Sequence, residues 1–255
     1  MNTILVPAQG RWCDTSITGN PPTWYRALKA AGYQGITLDL ASQGWQTDYT
    51  YALEAGLAVM LNQGYVANQW ADPTQAKTTA DYAIQQVESV QYHPGANVFL
   101  DCEAMDGITA QQALAWLNTW DMNLRATGYT RLGKYEGPNC PLSGAQWYGL
   151  PLTVSYYKAK SLVPPIPHRG YQIIQTGVQR LFHGVYIDED EAGPDQLGQH
   201  AMAVMKAPSV PPQPKPSSVV VGPNWEPMMA TLQQTVTALP QQVADLHAAL
   251  LRPTK

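Results

Sequence analysis

The sequence predicts an α/β protein, a (β/α)8 TIM-like barrel followed by a C-terminal appendage. Its 255 residues suffice for one barrel of roughly 200 residues and a short further segment. Between residues 11 and 206, short apolar runs alternate with helical patterns, as in parallel β-α-β units. Gly32, Gly56 and Gly128 each stand where a helix gives way to the next strand, and this repetition favours a closed barrel over an open sheet.

Eight apolar runs are predicted to be the parallel strands of the barrel. They lie near residues 11–15, 34–40, 57–62, 97–102, 131–136, 151–157, 171–176 and 184–189. Residues 23–31, 76–90 and 110–127 have helical composition. Pro164, Pro165 and Pro167 exclude an ordinary helix from the sixth connection, so the barrel is expected to be irregular there.

The predicted barrel spans residues 1–206, and the chain that follows it divides into two parts. Residues 207–224 are a proline-rich linker, and residues 225–255 are predicted to be helical and coiled-coil-like. Apolar residues recur from Met229 to Leu250 at alternating spacings of three and four, which indicates a homo-oligomer through residues 229–250. Packing of this segment on the barrel and disorder are the alternatives. Pro240 allows either one kinked helix or two shorter ones.

Composition excludes several classes of partner. A net charge of −4 with 13% charged residues provides no basic surface for nucleic acid. No apolar stretch reaches the length of a membrane span, and the first ten residues lack the features of a secretory signal. We therefore expect a protein made in the cytoplasm without a signal peptide. The spacing of the three cysteines and five histidines indicates no metal site, and no cofactor is expected.

Acidic residues follow the apolar core of four predicted strands. They are Asp14, Asp39, Asp188 and the pair Asp101 and Glu103. Because active sites of barrels form at the C-terminal ends of the strands, these side chains are expected to meet in one site. A single acid in such a position more often caps a helix or pairs with arginine. Four such strands, with few basic residues to neutralise them, favour a catalytic site.

The spacing of Asp101 and Glu103 predicts paired carboxylates. Residues two apart on a strand project to the same side, with Cα atoms roughly 6.7 Å apart. Mutual repulsion raises one pKa and leaves a protonated acid beside ionised neighbours, as glycosidic cleavage requires. Sequence motifs of serine hydrolases, P-loop enzymes, zinc proteases and dinucleotide-binding proteins are absent from the sequence.

These residues resemble glycoside hydrolase family 25, the barrel lysozymes of bacteria and their phages, and the related glycoside-hydrolase-like domain of unknown function. Residues 14–16 resemble the opening D-x-S of the family, and residues 101–103 resemble its central D-x-E. Asp188 matches its late aspartate. The resemblance covers about residues 11–195 and suggests that the protein is encoded by a phage.

The resemblance implies a role for each acid. Glu103 would be the general acid that protonates the leaving sugar oxygen. Asp101 and Asp188 would stabilise the developing positive charge or position the acetamido group, and Asp14 would complete the acidic floor. Neighbouring residues are expected to bind substrate: Asp39, Gln63, Tyr65, Tyr135, Tyr157 and Gln175.

The sequence also departs from family 25. Its members usually carry Trp on the sixth and seventh strands, where this chain has Thr153 and Ile174. The run of residues 62–65 instead resembles the relatives of unknown function. The loss of these stacking rings weakens the case for a long glycan groove.

Two functions therefore stay open. One is a muramidase-like glycosidase, an endolysin or virion-associated lysin, that cuts the bacterial cell-wall glycan with its strand-end carboxylates. The other is a non-catalytic glycan-binding or structural barrel of a phage particle, oligomerised by its C-terminal helix. Either would act on the cell wall after lysis or as part of a virion.

Overall fold

The computed structural model describes residues 2–64, 69–159 and 163–208. The strands are β1 (Thr3–Pro7), β2 (Gly10–Thr15), β3 (Gly35–Asp39), β4 (Ala58–Gln63), β5 (Val98–Cys102), β6 (Leu132–Glu136), β7 (Thr153–Lys158), β8 (Ile173–Phe182), β9 (Val185–Ala192) and β10 (Met202–Lys206). The helices are α1 (Pro22–Ala30), α2 (Trp45–Glu54), α3 (Pro73–Ser89), α4 (Ala110–Ala126) and α5 (Gly144–Tyr148).

Strands β2 to β9 form a closed eight-stranded barrel. The ring runs through β4, β3, β2, β9, β8, β7, β6 and β5, and the pairing of β4 with β5 closes it. Every pairing between consecutive strands from β2 to β8 is parallel. The predicted TIM-like barrel is confirmed, and each of the eight predicted strands overlaps an observed one.

Strand β9 is the exception to the parallel arrangement. It runs antiparallel to both β8 and β2, so the prediction of eight parallel strands is wrong here. Only His183 and Gly184 connect β8 to β9, and both have positive φ, 46° and 85°. Two such residues make the tight turn of a hairpin, whereas a parallel connection would need a dozen residues or more.

Helices cover only part of the barrel. The predicted helices at residues 23–31, 76–90 and 110–127 correspond to α1, α3 and α4, while α2 was not predicted. The described part of the sixth connection, residues 163–172, contains no helix, which confirms the irregularity expected from its prolines. None of the helices within the described ranges combines the length and apolar character needed to cross a membrane.

Strands β1 and β10 lie outside the ring and were not predicted. Strand β10 runs antiparallel to both β4 and β1, and its Val204 pairs with Val59 near the start of β4. Ala201 and Ala203 pack in the same buried cluster as residues of the barrel interior. This ribbon therefore lies towards the end of the barrel at which the parallel strands begin.

The interior of the barrel changes from apolar to polar along its axis. The lower level includes Trp12, Met60, Phe99 and Ile173. The level two residues further along the same strands includes Asp14, Asn62, Asp101 and Gln175. Both levels point inward because strand side chains alternate between faces with a period of two. Gly35 makes room for the lower level, since a Cβ there would lie 2.1 Å from the indole ring of Trp12.

The predicted linker and helical segment fall, apart from Ala207 and Pro208, outside the described residues. The seam through residues 229–250 and the homo-oligomer inferred from it remain predictions.

Candidate active site

A cavity of about 480 Å³ opens where the parallel strands end. Eight of the predicted site residues line it: Asp14, Asp39, Asp101, Glu103, Tyr135, Tyr157, Gln175 and Asp188. Gln63 is buried and is not among the lining residues. Tyr65 falls outside the described residues. The volume is that of a pocket for a small ligand or a short segment of a polymer.

Asp14 projects from β2 and accepts two hydrogen bonds through one oxygen. The Tyr157 hydroxyl donates to Asp14 Oδ2, and Gln175 Nε2 donates to the same atom at 2.9 Å. Burial raises the pKa of Asp14 to about 6, aided by the charges of Asp188 and Glu103 and opposed by these two donors. Asp14 therefore changes its charge just below neutral pH.

Asp39 ends β3 and organises the loops beside the cavity. Its Oδ1 accepts hydrogen bonds from the backbone N–H groups of Ala41 and Gly64, both at 2.8 Å. Its Oδ2 accepts from the Ser42 hydroxyl at 3.3 Å. These contacts join the loops after β3 and β4, so Asp39 has a structural role in addition to its position on the cavity wall.

Asp101 projects from β5 into the cavity and is almost completely enclosed by protein. Burial raises its pKa well above the usual range, and the charges of Glu103, Asp39 and Asp14 add to the effect. Its Oδ1 is buried without a hydrogen-bond partner among the described residues. These surroundings favour the protonated form of Asp101 over the charged one.

Glu103 lies just beyond β5, in a tightly built loop. The following residue, Ala104, has a left-handed backbone with φ 49°, and its N–H donates to the Pro138 carbonyl at 3.2 Å. Gly137 packs directly on the glutamate, since a Cβ there would lie 2.0 Å from Glu103 Cγ. Strained backbone and close packing of this kind often hold functional side chains in place.

Asp188 reaches the cavity by a route that the sequence did not predict. It lies within β9 rather than at the end of a parallel strand, and it is the direct neighbour of Asp14 across the antiparallel β2–β9 pairing. The acids of the first and last barrel strands are thereby brought side by side.

The structure adds residues that the sequence analysis missed. Tyr186 and Gln179, from the β8–β9 hairpin, line the cavity, and Tyr186 is 55% exposed. Asp190 is buried below the cavity, on the same face of β9 as Asp188. The spacing of two residues between Asp188 and Asp190 could have revealed that pair. The position of Tyr186 at the cavity depends on the β8–β9 hairpin, which the sequence did not predict.

The positions at which family 25 usually carries Trp do not face the cavity. The Thr153 hydroxyl donates to Asp121 Oδ2 at 3.0 Å in a buried cluster with Lys134. Ile174 is 42% exposed and does not line the cavity. Within the described residues, no group of three or more histidine, cysteine or acidic side chains is arranged to hold a metal ion.

The sequence of residues 22–192 matches the family model described as the Rv2525c-like, glycoside hydrolase-like domain. The chain belongs to this family. No curated protein matches its sequence. Among solved structures, this chain is similar in fold to the Tat-secreted protein Rv2525c of Mycobacterium tuberculosis in complex with L-tartrate. That match has a TM-score of 0.54 and 16% identity, covering 75% of this chain and 99% of the other.

Two further structures connect this Rv2525c-like domain with family 25. A family 25 glycosyl hydrolase of Bacillus anthracis matches with a TM-score of 0.50 and 13% identity over 72% of this chain and 88% of its own. The autolysin LytC of Streptococcus pneumoniae, in complex with a synthetic peptidoglycan ligand, matches with a TM-score of 0.52 and 12% identity over 71% of this chain and 46% of its own. The predicted relationship to barrel lysozymes is confirmed at the level of the fold. These matches name bacterial proteins, so a phage origin stays a prediction.

Proposed function

We propose that this Rv2525c-like domain is a glycosidase that cleaves the glycan of bacterial peptidoglycan with the carboxylates of its cavity. The observation that carries the proposal is the convergence of four acids on one cavity, Asp14, Asp101, Glu103 and Asp188. Burial raises the pKa of Asp101 well above its usual range, and it raises the pKa of Asp14 to about 6. An uncharged acid beside an ionised carboxylate is the combination that hydrolysis of a glycosidic bond uses.

We assign a different role to each acid of the cavity. Glu103, held against Gly137 at the cavity wall, protonates the leaving sugar oxygen. Burial raises the pKa of Asp101 and so favours its protonated form, which can donate a hydrogen bond to the acetamido carbonyl of the substrate. Stabilisation of the positive charge that develops on the sugar then falls to Asp14 and Asp188, which are neighbours across β2 and β9.

Tyr186 supplies an aromatic surface at the cavity. It lies at the edge of the cavity, exposed, and beside Leu181 across the β8–β9 hairpin. A ring with one polar end can stack on a sugar and hydrogen-bond to its hydroxyl groups. Tyr186 is therefore the sugar-stacking residue of the proposed site.

The test is the loss of turbidity of purified cell walls, with the release of reducing ends measured in parallel. The variant Glu103→Gln is expected to lower the rate about 10³-fold because it removes the proton donor. In Asp101→Asn, the amide reproduces the hydrogen-bond donor of the uncharged acid, so the rate is expected to fall only about 10-fold or less. Asp106→Asn, in an exposed acid outside the cavity, is the control.

An unchanged rate in folded Glu103→Gln would show that Glu103 is not the acid. Walls that bind the wild-type chain without release of reducing ends would instead favour a glycan-binding barrel. Oligomerisation through residues 229–250 and a place in a virion are separate proposals, and neither is needed for cleavage by the barrel.

A further inference from the structure

Glu136 is a buried acid outside the cavity that the proposed mechanism does not use. It ends β6 and is completely buried. Because side chains alternate along a strand, it lies on the face opposite to that of Tyr135, which lines the cavity. The next residue, Gly137, packs on Glu103. Glu136 is therefore adjacent in the chain to the backbone that holds the proposed general acid.

The hydroxyl of Tyr171 lies between Glu136 and the sixth connection. It is hydrogen-bonded to Glu136 Oε2, and it lies 2.6 Å from the Pro164 carbonyl oxygen, also with hydrogen-bond geometry. A phenol has one proton, so Tyr171 can donate to the carboxylate or to the carbonyl but not fully to both. If Glu136 carries a proton and donates it to Tyr171, the proton of Tyr171 is available to Pro164. Both contacts are then complete.

The second oxygen of Glu136 also favours the protonated form. Oε1 is buried without a hydrogen-bond partner among the residues that the structure describes. A charged carboxylate with an unpaired buried oxygen costs more free energy than an uncharged acid does. In agreement with this, burial raises the pKa of Glu136 to about 7, although Tyr171, Trp147 of α5 and Lys158 oppose the rise.

Titratable groups face Glu136 from several elements. They are Lys158 and Tyr156 on β7, Tyr171 before β8 and Cys140 in the loop after β6. Lys158, which pairs in register with Glu136, is the cation of this group and favours the ionised form of the acid. The other three are uncharged at neutral pH, since burial raises the pKa of each. Glu136 is therefore the member of this group that changes its charge near neutral pH.

The sixth connection, to which Pro164 belongs, is otherwise held by packing. The carbonyl of Pro165 lies against the start of α5, where a Cβ on Gly144 would be 1.9 Å from its oxygen. Ile166 is 2% exposed and packs in the main core cluster. The hydrogen bonds through Tyr171 add a polar attachment to these contacts, and this attachment depends on a proton.

We propose that Glu136 is a proton-dependent tie between β6 and the sixth connection. With its proton, Glu136 donates to Tyr171, which donates to the Pro164 carbonyl. Without it, Glu136 accepts from Tyr171, and the Pro164 carbonyl loses its donor. The connection is thus held more firmly on the acidic side of neutral pH. The proposal concerns the free protein and does not depend on cleavage of a glycan.

The experiment is a pH titration of the full chain by 13C-detected NMR, with the carbons of glutamate and proline labelled. Detection of carbon allows the Pro164 carbonyl to be assigned although Pro165, which follows it, has no N–H group. The Glu136 carboxyl should titrate at about pH 7, and the chemical shift of the Pro164 carbonyl should change along the same curve. A Pro164 carbonyl that stays constant while Glu136 titrates would overturn the proposal, as would titration of Glu136 near the usual 4.5.

Two variants then test the hydrogen bonds. In Glu136→Gln the amide can donate to Tyr171 at every pH, so the Pro164 carbonyl should keep its low-pH chemical shift throughout the titration. In Tyr171→Phe the donor to Pro164 is absent, so the carbonyl should keep its high-pH chemical shift while Glu136 still titrates. The titration of the wild type decides the question by itself if a variant does not fold.

The control is Glu54→Gln, which removes an exposed acid on α2. It should leave the titration of the Pro164 carbonyl unchanged. If the carbonyl of Tyr171→Phe still responds as in the wild type, the charge of Glu136 acts through space, and no hydrogen-bonded tie exists. A response near neutral pH that persists in Glu136→Gln would assign the titration to another group and refute the proposal.

Discussion

The raised pKa of Asp14 predicts that a substitution in the cavity stabilises the protein. The folded-state pKa of about 6 lies above the usual value of 3.8 for an aspartate. For an acid whose pKa is raised by folding, the associated stability is fully present below the unfolded value and is lost as the pH rises through the folded value. Asp14 therefore destabilises the barrel increasingly between about pH 4 and pH 6.

Asp14→Asn should remove this cost and keep the shape of the side chain. A difference of about 2.2 between the two pKa values, at 1.36 kcal/mol for each unit, corresponds to about 3 kcal/mol at high pH. The variant should exceed the wild type in free energy of unfolding by about 3 kcal/mol at about pH 8 and by only about 0.3 kcal/mol at about pH 3.5. It should at the same time lose wall hydrolysis, as expected where a site retains charges at the expense of stability.

Urea denaturation of the full chain, followed by tryptophan fluorescence at several pH values, measures the difference. Asp81→Asn is the control, because Asp81 forms an exposed ion pair with Lys77 on α3 and its loss should change the stability by less than about 1 kcal/mol. A variant of Asp14 that is less stable than the wild type at high pH, or whose advantage does not grow with pH, would refute the reasoning.

Two further predictions concern the walls of the cavity. Tyr186→Ala should weaken the binding of a soluble oligosaccharide of β-1,4-linked N-acetylglucosamine by about 5- to 10-fold in calorimetry. Tyr148→Ala removes a ring outside the cavity that is 45% exposed, against 55% for Tyr186, and should leave the binding unchanged. Equal effects of the two variants would remove the stacking role. Gly137→Ala should displace Glu103 and lower wall hydrolysis by about 100-fold. Gly193→Ala is the control and should leave hydrolysis unchanged, because a Cβ there meets no atom within 4 Å. Full activity of Gly137→Ala would show that the position of Glu103 is not critical.

The sequence predicted those parts of the fold that local patterns determine. Apolar runs and glycines that end helices gave all eight barrel strands, since each signal lies within a few residues of the chain. The two strands outside the ring, β1 and β10, were missed. Their partners are each other and β4, some 150 to 200 residues apart in the chain, and nothing in either segment alone indicates such a pairing.

The prediction of the site assumed that all of its acids lie at the ends of parallel strands, which is wrong for one of them. Asp14, Asp101 and Glu103 reach the cavity as expected, because they end parallel strands or follow them directly. Asp188 reaches it on an antiparallel strand. Asp190 was missed because its burial beside the site becomes evident only in the assembled barrel.

The hairpin between β8 and β9 makes one wall of the cavity adjustable. Its base is held by the pairing of Asp14 with Asp188 and by the lower rungs of β8 with β9, while its far end carries Tyr186 beyond the ring. The two strands can each be lengthened or shortened by residues added or removed in pairs, which keeps the alternation of faces. No helix has to be repacked, because a short turn connects them. Related chains could thus alter the depth of the cavity, and with it the length of polymer that it holds, without any change in the closure of the barrel.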